Sequence, residues 1–281
     1  MKSGLKSALL AIFGNEQTDE PIKDNDEIRP GFKYILELEN PKLEISVLLK
    51  AIEYGQTNKV KHLLRTNIEI NKVIEETEKG PKTYPLLKAI RKGQLQIVQT
   101  LCQHGALLRP KGCGSTQPLL EAIIQSRNDR KNRDKLKIVN ELLNYGADIN
   151  VLHGLPKNLQ GMNGLHLALT GTSGSTDEAL DLEITLIKNK INLFAEKDGR
   201  YPLHELFCGD KNTKDPIEVC NLLVEAMDSK GMNKLDNLSR SALHYAAQCG
   251  ATISCLLLIS KGADLNHFDI YGNSPLAYRS N

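Results

Sequence analysis

The chain has 281 residues, 40% of them hydrophobic and 25% charged, enough to bury a sizeable core. Its 36 basic and 34 acidic side chains leave a formal net charge of +2, which excludes the broad positive field of a nucleic-acid binder, and no stretch reaches the roughly 20 apolar residues of a membrane span. Six cysteines at 102, 113, 208, 220, 249 and 255 form no CxxC pair and no Cys/His cluster at zinc spacing, so no metal is expected and a reduced, cytoplasmic setting fits, with the nucleus as an alternative.

In chain order, residues 1–40 read as a leader. The apolar run Ala8-Leu9-Leu10-Ala11-Ile12-Phe13 lacks a following small-x-small cleavage site and reads as a short amphipathic helix rather than an export signal. Residues 15–31 are acidic and prolyl, and Phe32 to Leu38 read as a cap over the apolar side of the first repeating unit.

From about residue 43 the sequence repeats. Val47-Leu48, Pro85-Leu86, Pro118-Leu119, Gly164-Leu165, Pro202-Leu203, Ala242-Leu243 and Pro275-Leu276 open successive units at intervals of 38, 33, 46, 38, 40 and 33 residues, a period of 33 with insertions. Proline suits a first helical turn, where its missing N–H has no partner to lose. Ala89, Ala122, Ala168 and Ala246 keep this helix thin for close neighbours, and Gly55, Gly93 and Gly250 stop it. Leu63-Leu64, Leu142-Leu143, Leu222-Leu223 and Leu257-Leu258 then give a second helix its buried stripe. That helix ends in Gly105-Ala106, Gly146-Ala147-Asp148-Ile149-Asn150 or Gly262-Ala263-Asp264-Leu265-Asn266, each leading to a hairpin.

Insertions at 126–135, 171–178 and 209–216 fall between the two helices of three consecutive units and thicken one rim, as binding insertions or as merely tolerated loops. Others, at 75–82 and 152–160, lengthen hairpins. The last unit stops at Asn281, inside its first helix.

These residues resemble the ankyrin repeat, most clearly in Asp236 to Asn266, with Ala242-Leu243-His244-Tyr245-Ala246-Ala247 and Gly250, and in Asp269 to Leu276. The resemblance implies an all-α solenoid of helix-turn-helix units joined by short β-hairpin loops, occupying residues 41–281 as about six repeats and a truncated seventh. It implies a monomeric scaffold or adaptor that holds a partner protein, and neither nucleic acid nor a cofactor, in a concave groove. Carried over position by position, the groove comprises Tyr54, Thr83, Arg91, Lys92, Gln125, Met162, Thr170, Arg200, Cys208, Arg240, Gln248 and Tyr271. It gives His166, His204 and His244 a structural task, hydrogen bonding to neighbouring hairpin backbone. Asn71, Asn150 and Asn266 match the asparagine that is hydroxylated in many animal members of the family, against a plainer role bonding local backbone.

No Walker A loop, dinucleotide fingerprint, HExxH, GxSxG or kinase signature occurs, so the chain reads as a non-enzyme. Two other readings remain: a recognition arm of a larger enzyme, ubiquitin-ligase or bacterial effector assembly, and a Cys/His hydrolase built on Cys208 near His204 or Cys102 near His104.

Overall fold

The computed structural model describes residues 41–66, 68–75, 82–109, 117–129, 132–154, 160–170, 180–208 and 215–278. Six helical pairs run in order: α1 (Pro41–Glu53) with α2 (Thr57–Leu63), α3 (Pro85–Arg91) with α4 (Leu95–Gln103), and α5 (Pro118–Asn128) with α6 (Arg133–Asn144). Then come α7 (Gly164–Leu169) with α8 (Asp181–Lys188), α9 (Pro202–Glu205) with α10 (Ile217–Ala226), the single turn α11 (Ser229–Met232), and α12 (Ala242–Cys249) with α13 (Thr252–Ser260). A 3-10 turn over Pro275–Tyr278 closes the series.

The first helix of each pair packs on the first helix of the next, from α1 through α12 to the 3-10 turn, and the second helices form their own row behind them. The substantial helix contacts join only neighbouring repeats, so one elongated core is shared between units that cannot close a core alone. Pro85, Pro118 and Pro202 stand in the first turn of their helices, as the sequence predicts. The leucine of each opener, from Leu48 to Leu243, is buried, worth about 2 kcal/mol apiece, and Ala89, Ala122, Ala168 and Ala246 are buried where inner helices meet.

Hairpins join the repeats. Ile74–Glu75 (β1) pairs antiparallel with Lys82–Thr83 (β2), in register Ile74 to Thr83, and shorter backbone exchanges link His153 with Met162, Lys197 with Arg200, and Asp236 with Arg240. A left-handed residue follows four of the six described outer helices: Gly105, Gly146 and Gly262, and Lys190, at φ 61°, in the fourth repeat.

One boundary moves. Ser126 to Asn128, expected in an inserted loop, extend α5, and α6 already begins at Arg133, so much of that insertion is extra helix. The helices can lengthen because nothing between Pro118 and Asn128 breaks them. The expected leader and cap over 1–40, and the insertion at 171–178, lie outside the described residues.

Candidate partner-binding face

The exposed side of the inner helices carries a ladder of polar bridges from one repeat to the next. Lys88 of α3 reaches back to Glu53 of α1 at 3.0 Å, with Lys92 on the same carboxylate at 3.7 Å. Arg91 reaches forward to Glu121 of α5 at 3.4 Å, and Gln125 donates to the same oxygen at 3.0 Å. Arg127 then donates to the carbonyls of Leu167 and Thr170 at 3.1 and 2.9 Å, satisfying the C-terminal end of α7 with a cation where the helix dipole favours one.

Beyond α7 the fastening changes. The backbone N–H of Tyr201 donates to His204 Nδ1 at 3.0 Å, so the imidazole carries its proton on Nε2, which meets the carbonyl of Lys234 in the next hairpin at 3.1 Å. His244 repeats this with the N–H of Ser241 and the carbonyl of Asn273. His166 is bracketed by Asn163, whose amide also donates to Asn192 O at 2.8 Å. Burial pushes His166 and His204 down to about 4, so both are neutral ties rather than bases.

Two aspartates organise the last hairpins. Asp236 accepts from the backbone of Leu238 and Arg240 with one oxygen, and from Tyr245 Oη and the Arg240 guanidinium with the other. Burial works against its charge, but the bonds from Tyr245, Arg240 and Leu238 hold the carboxyl below the usual range. Asp269 accepts from the backbone of Tyr271 and Asn273 and from Tyr278 in the same pattern.

The groove residues expected from the sequence fall into three groups. Tyr54, Arg91, Lys92, Gln125, Gln248 and Tyr271 are exposed or half-buried, Tyr54 and Tyr271 at 68% and 69%. Thr170, Arg200, Cys208 and Arg240 are half-buried and engaged with neighbours: Thr170 donates to His166 O, Arg200 meets Glu205 and Cys208, and Arg240 lies inside the Asp236 cluster. Thr83 and Met162, at 1% and 3% exposure, are corrections. Both are hairpin residues just before a helix N-cap, and their side chains are buried there rather than presented to a partner. The sequence reading missed Glu53, Lys88, Glu121 and Arg127, since nothing in a single repeat reveals bridges that span 30 or more positions along the chain.

The asparagines bond onward to the next repeat rather than locally. Asn71 donates to Gly105 O at 3.2 Å and accepts from Leu107 N at 2.8 Å, and Asn233 treats Gly262 and Asp264 in the same way. Asn150 accepts from Asn192 N at 2.7 Å. Asn233 escaped the sequence reading because Lys230-Gly231-Met232-Asn233 lacks the usual Gly-Ala-Asp wording. In the second repeat Arg109 takes this place and pairs with Asp148 at 3.7 Å. Asn266 is exposed.

The thiols are poor nucleophiles. Cys208 Sγ donates to His204 O at 3.2 Å while both ring nitrogens of His204 are held by backbone, and burial, with Glu205 beside it, pushes this thiol up to about 11. His104 Nδ1 is bonded to Thr100 O, and burial raises Cys102 likewise. Neither Cys/His pair forms the thiol-imidazole contact that a hydrolase needs. Among the described residues no helix is long and apolar enough to cross a membrane.

Residues 48–153 and 165–269 match the family described as ankyrin repeats (3 copies). Among solved structures, the chain is similar to the ankyrin repeat domain of Bcl-3, described as a unique member of the IkappaB protein family, at a TM-score of 0.63 and 20% identity, covering 83% of this chain and 93% of that one. It is also similar to the human ASB11 ankyrin repeat domain, at a TM-score of 0.53 and 20% identity, covering 83% and 91%. At this identity the likeness is one of fold.

Proposed function

This chain belongs to the ankyrin-repeat family, and from that premise we propose that it is a non-catalytic scaffold or adaptor that holds a partner protein along its inner helices and hairpin tips. The observation that carries this reading is the division of labour on the inner face. Glu53, Lys88, Glu121 and Arg127 fix one inner helix to the next; Lys92, Arg91 and Gln125 join those bridges from the open side and keep accessible surface, and Tyr54, Gln248 and Tyr271 are accessible on or beside the same helices. Tyrosine and arginine are residue types enriched where interface energy concentrates. A row of them on a rigid, bridged support loses little entropy on binding.

The test is capture of partner from cell extract by the wild-type chain and by surface variants. Lys92→Glu, Tyr54→Ala and Tyr271→Ala are expected to weaken capture by about tenfold or more without changing the helical circular dichroism. Lys137→Glu and Gln96→Glu, on exposed positions of the outer helices, are expected to leave it intact. Capture lost only in the outer-helix variants would move the site to the opposite face. Arg240 is unsuited to such a test, because its guanidinium is part of the Asp236 cluster and its replacement disturbs the fold.

A further inference from the structure

The small net charge of the chain hides a division along its length. Residues 41–154, which hold the first three repeats, carry 19 basic and 11 acidic side chains, residues 155–281 carry 12 and 15, and residues 1–40 carry 5 and 8. Part of the positive excess stands on the inner helices, where Lys88 and Lys92 converge on the single carboxylate of Glu53, so this trio keeps a net positive charge.

From Lys92 the basic strip continues onto the edge where each inner helix turns into its outer one. The side chain of Gln94 lies against Gly55, and the stem of Lys135 lies against Gly93, so the edges of the first three repeats are contiguous. Lys92 and Arg133, the first residue of α6, are both exposed there, and Lys135 is half-buried with its ammonium 3.0 Å from Asp129.

The same edge of repeats four and five has the opposite sign. Asp181 and Glu218 stand exposed in the first turns of α8 and α10, with Asp215 just before α10, and residues 180–187 and 215–229 contain no lysine or arginine. Charges one repeat apart are separated by about 10 Å, the packing distance of neighbouring helices, which is close to the screening length of about 8 Å at physiological salt. The basic strip therefore acts as a unit when salt is low and is divided when salt is high.

That change of sign limits what the strip can hold. A long nucleic acid or a lipid surface extends its negative charge beyond three repeats and meets Asp181, Asp215 and Glu218. An extended polypeptide rises about 3.3 Å per residue, so an acidic stretch of about ten residues covers roughly 30 Å, the length of three repeats, and ends before the carboxylates begin. Its side chains can form charge-assisted hydrogen bonds to lysine and arginine.

We propose that the basic edge of the first three repeats takes an acidic stretch of polypeptide about ten residues long, gripped by Lys92 and Arg133, in the partner that the inner face holds. This rests on the scaffold reading above and gives that partner a chemistry. The probe is a labelled peptide of alternating glutamate and glycine, about twelve residues long, titrated against the 281-residue chain by fluorescence anisotropy beside a glutamine-glycine control. The acidic peptide is expected to bind with a Kd of about 10–100 μM in about 50 mM salt and at least about tenfold more weakly in about 300 mM, and the control is expected not to bind. Lys92→Glu combined with Arg133→Glu should weaken binding by about tenfold with the helical signal unchanged, whereas Lys137→Glu, the same change of charge on the outer side of repeat three, should alter it less than about twofold.

Undetectable binding of the acidic peptide overturns the proposal, as does binding that the double variant leaves intact. An oligothymidylate of about twenty nucleotides, or phosphatidylserine vesicles, binding as tightly as the peptide would make the edge a general polyanion face and also overturn it. Binding that emerges only when Glu16, Asp19, Glu20, Asp24, Asp26 and Glu27 are replaced by their amides assigns the edge to the chain's own leader instead. If the peptide fails while Tyr54→Ala and Tyr271→Ala still weaken capture from extract, the scaffold reading stands and only the acidic partner falls. If the peptide binds and capture is indifferent to every inner-face variant, the scaffold reading falls alone.

Discussion

At the residue after each opener dipeptide, repeats one to three carry Leu49, Leu87 and Leu120, whereas repeats four to six carry His166, His204 and His244. All six side chains are buried, but they leave different work to their surroundings. A leucine there packs and offers no tie to the next hairpin, so the first half relies on half-exposed bridges such as Lys88 to Glu53 and Arg91 to Glu121. His204 and His244 span the gap themselves, each from a backbone N–H in its own repeat to a carbonyl in the next, and beside His166 the Asn163 amide does so by donating to Asn192 O. The two halves should therefore respond to different solution variables: ionic strength for the first, acidity for the second.

Acidification gives the largest separation. His166 and His204 are held at about 4, against an ordinary value near 6.5. Between those values the unfolded chain takes up protons that the folded chain refuses, so stability falls as pH drops through that window and is unaffected above it. By pH 5 each histidine should have cost about 2 kcal/mol. Burial also lowers His244 and His153. The carboxylates of Asp236 and Asp269 are held below their usual range, so their contribution is lost only at lower pH. Hydrogen exchange at pH 7.5 and 5 should show α9 and α12 losing protection while α3 and α4 keep theirs. Equal loss in both halves would break the comparison.

Next in size is Asp236→Ala. The carboxylate, with its side chain 3% exposed, is the shared acceptor for Tyr245, Arg240 and two backbone amides. Its loss strands a half-buried cation and a phenol, at a cost of about 3 kcal/mol, read as a lower urea midpoint. Tyr245→Phe, which leaves the salt bridge, should cost about 1 kcal/mol. A third effect sits between repeats five and six. Asp215 accepts from the N–H groups of Ile253 and Ser254 and from Ser254 Oγ, supplying to α13 the N-terminal cap that Ala251 cannot. Asp215→Ala should cost about 2 kcal/mol and weaken exchange protection first in α13.

Much of this architecture was legible because it is periodic. The opener dipeptide, the thin alanine and the glycine stop recur within one repeat, where packing and backbone geometry are local demands. The histidine ties were legible through the repeat pattern as well. What escaped involves two repeats at once. Glu53 and Lys88 look like ordinary surface charges until the repeats are written beneath one another, and Asp215 lies in an insertion whose sequence differs from those of the two repeats before it. Thr83 and Met162 differ from the expectation because a position carried over from a repeat pattern does not say which side of its hairpin is buried.

Lys190 is a smaller irregularity within the histidine half. It adopts φ 61° where Gly105, Gly146 and Gly262 stand in other repeats, a conformation that crowds its Cβ against the backbone. Lys190→Gly should stabilise the chain by about 0.5–1 kcal/mol, seen as a higher thermal midpoint, and should do so equally at pH 7.5 and 5 because no titrating group is involved.

The smallest stability effect belongs to the first half. Arg91, about a third exposed, pairs with the more buried Glu121 at 3.4 Å, so Arg91→Gln should cost only about 0.5 kcal/mol, and less in 0.5 M salt. A double-mutant cycle with Glu121→Gln measures the pair directly. A small value matters for function, because an arginine that contributes little to the fold can be replaced without unfolding it. Any larger loss of partner capture by Arg91→Glu than by Lys137→Glu then reports on the surface itself. A coupling above about 2 kcal/mol would instead make Arg91 a structural residue like Arg240 and would erase the distinction between the two halves.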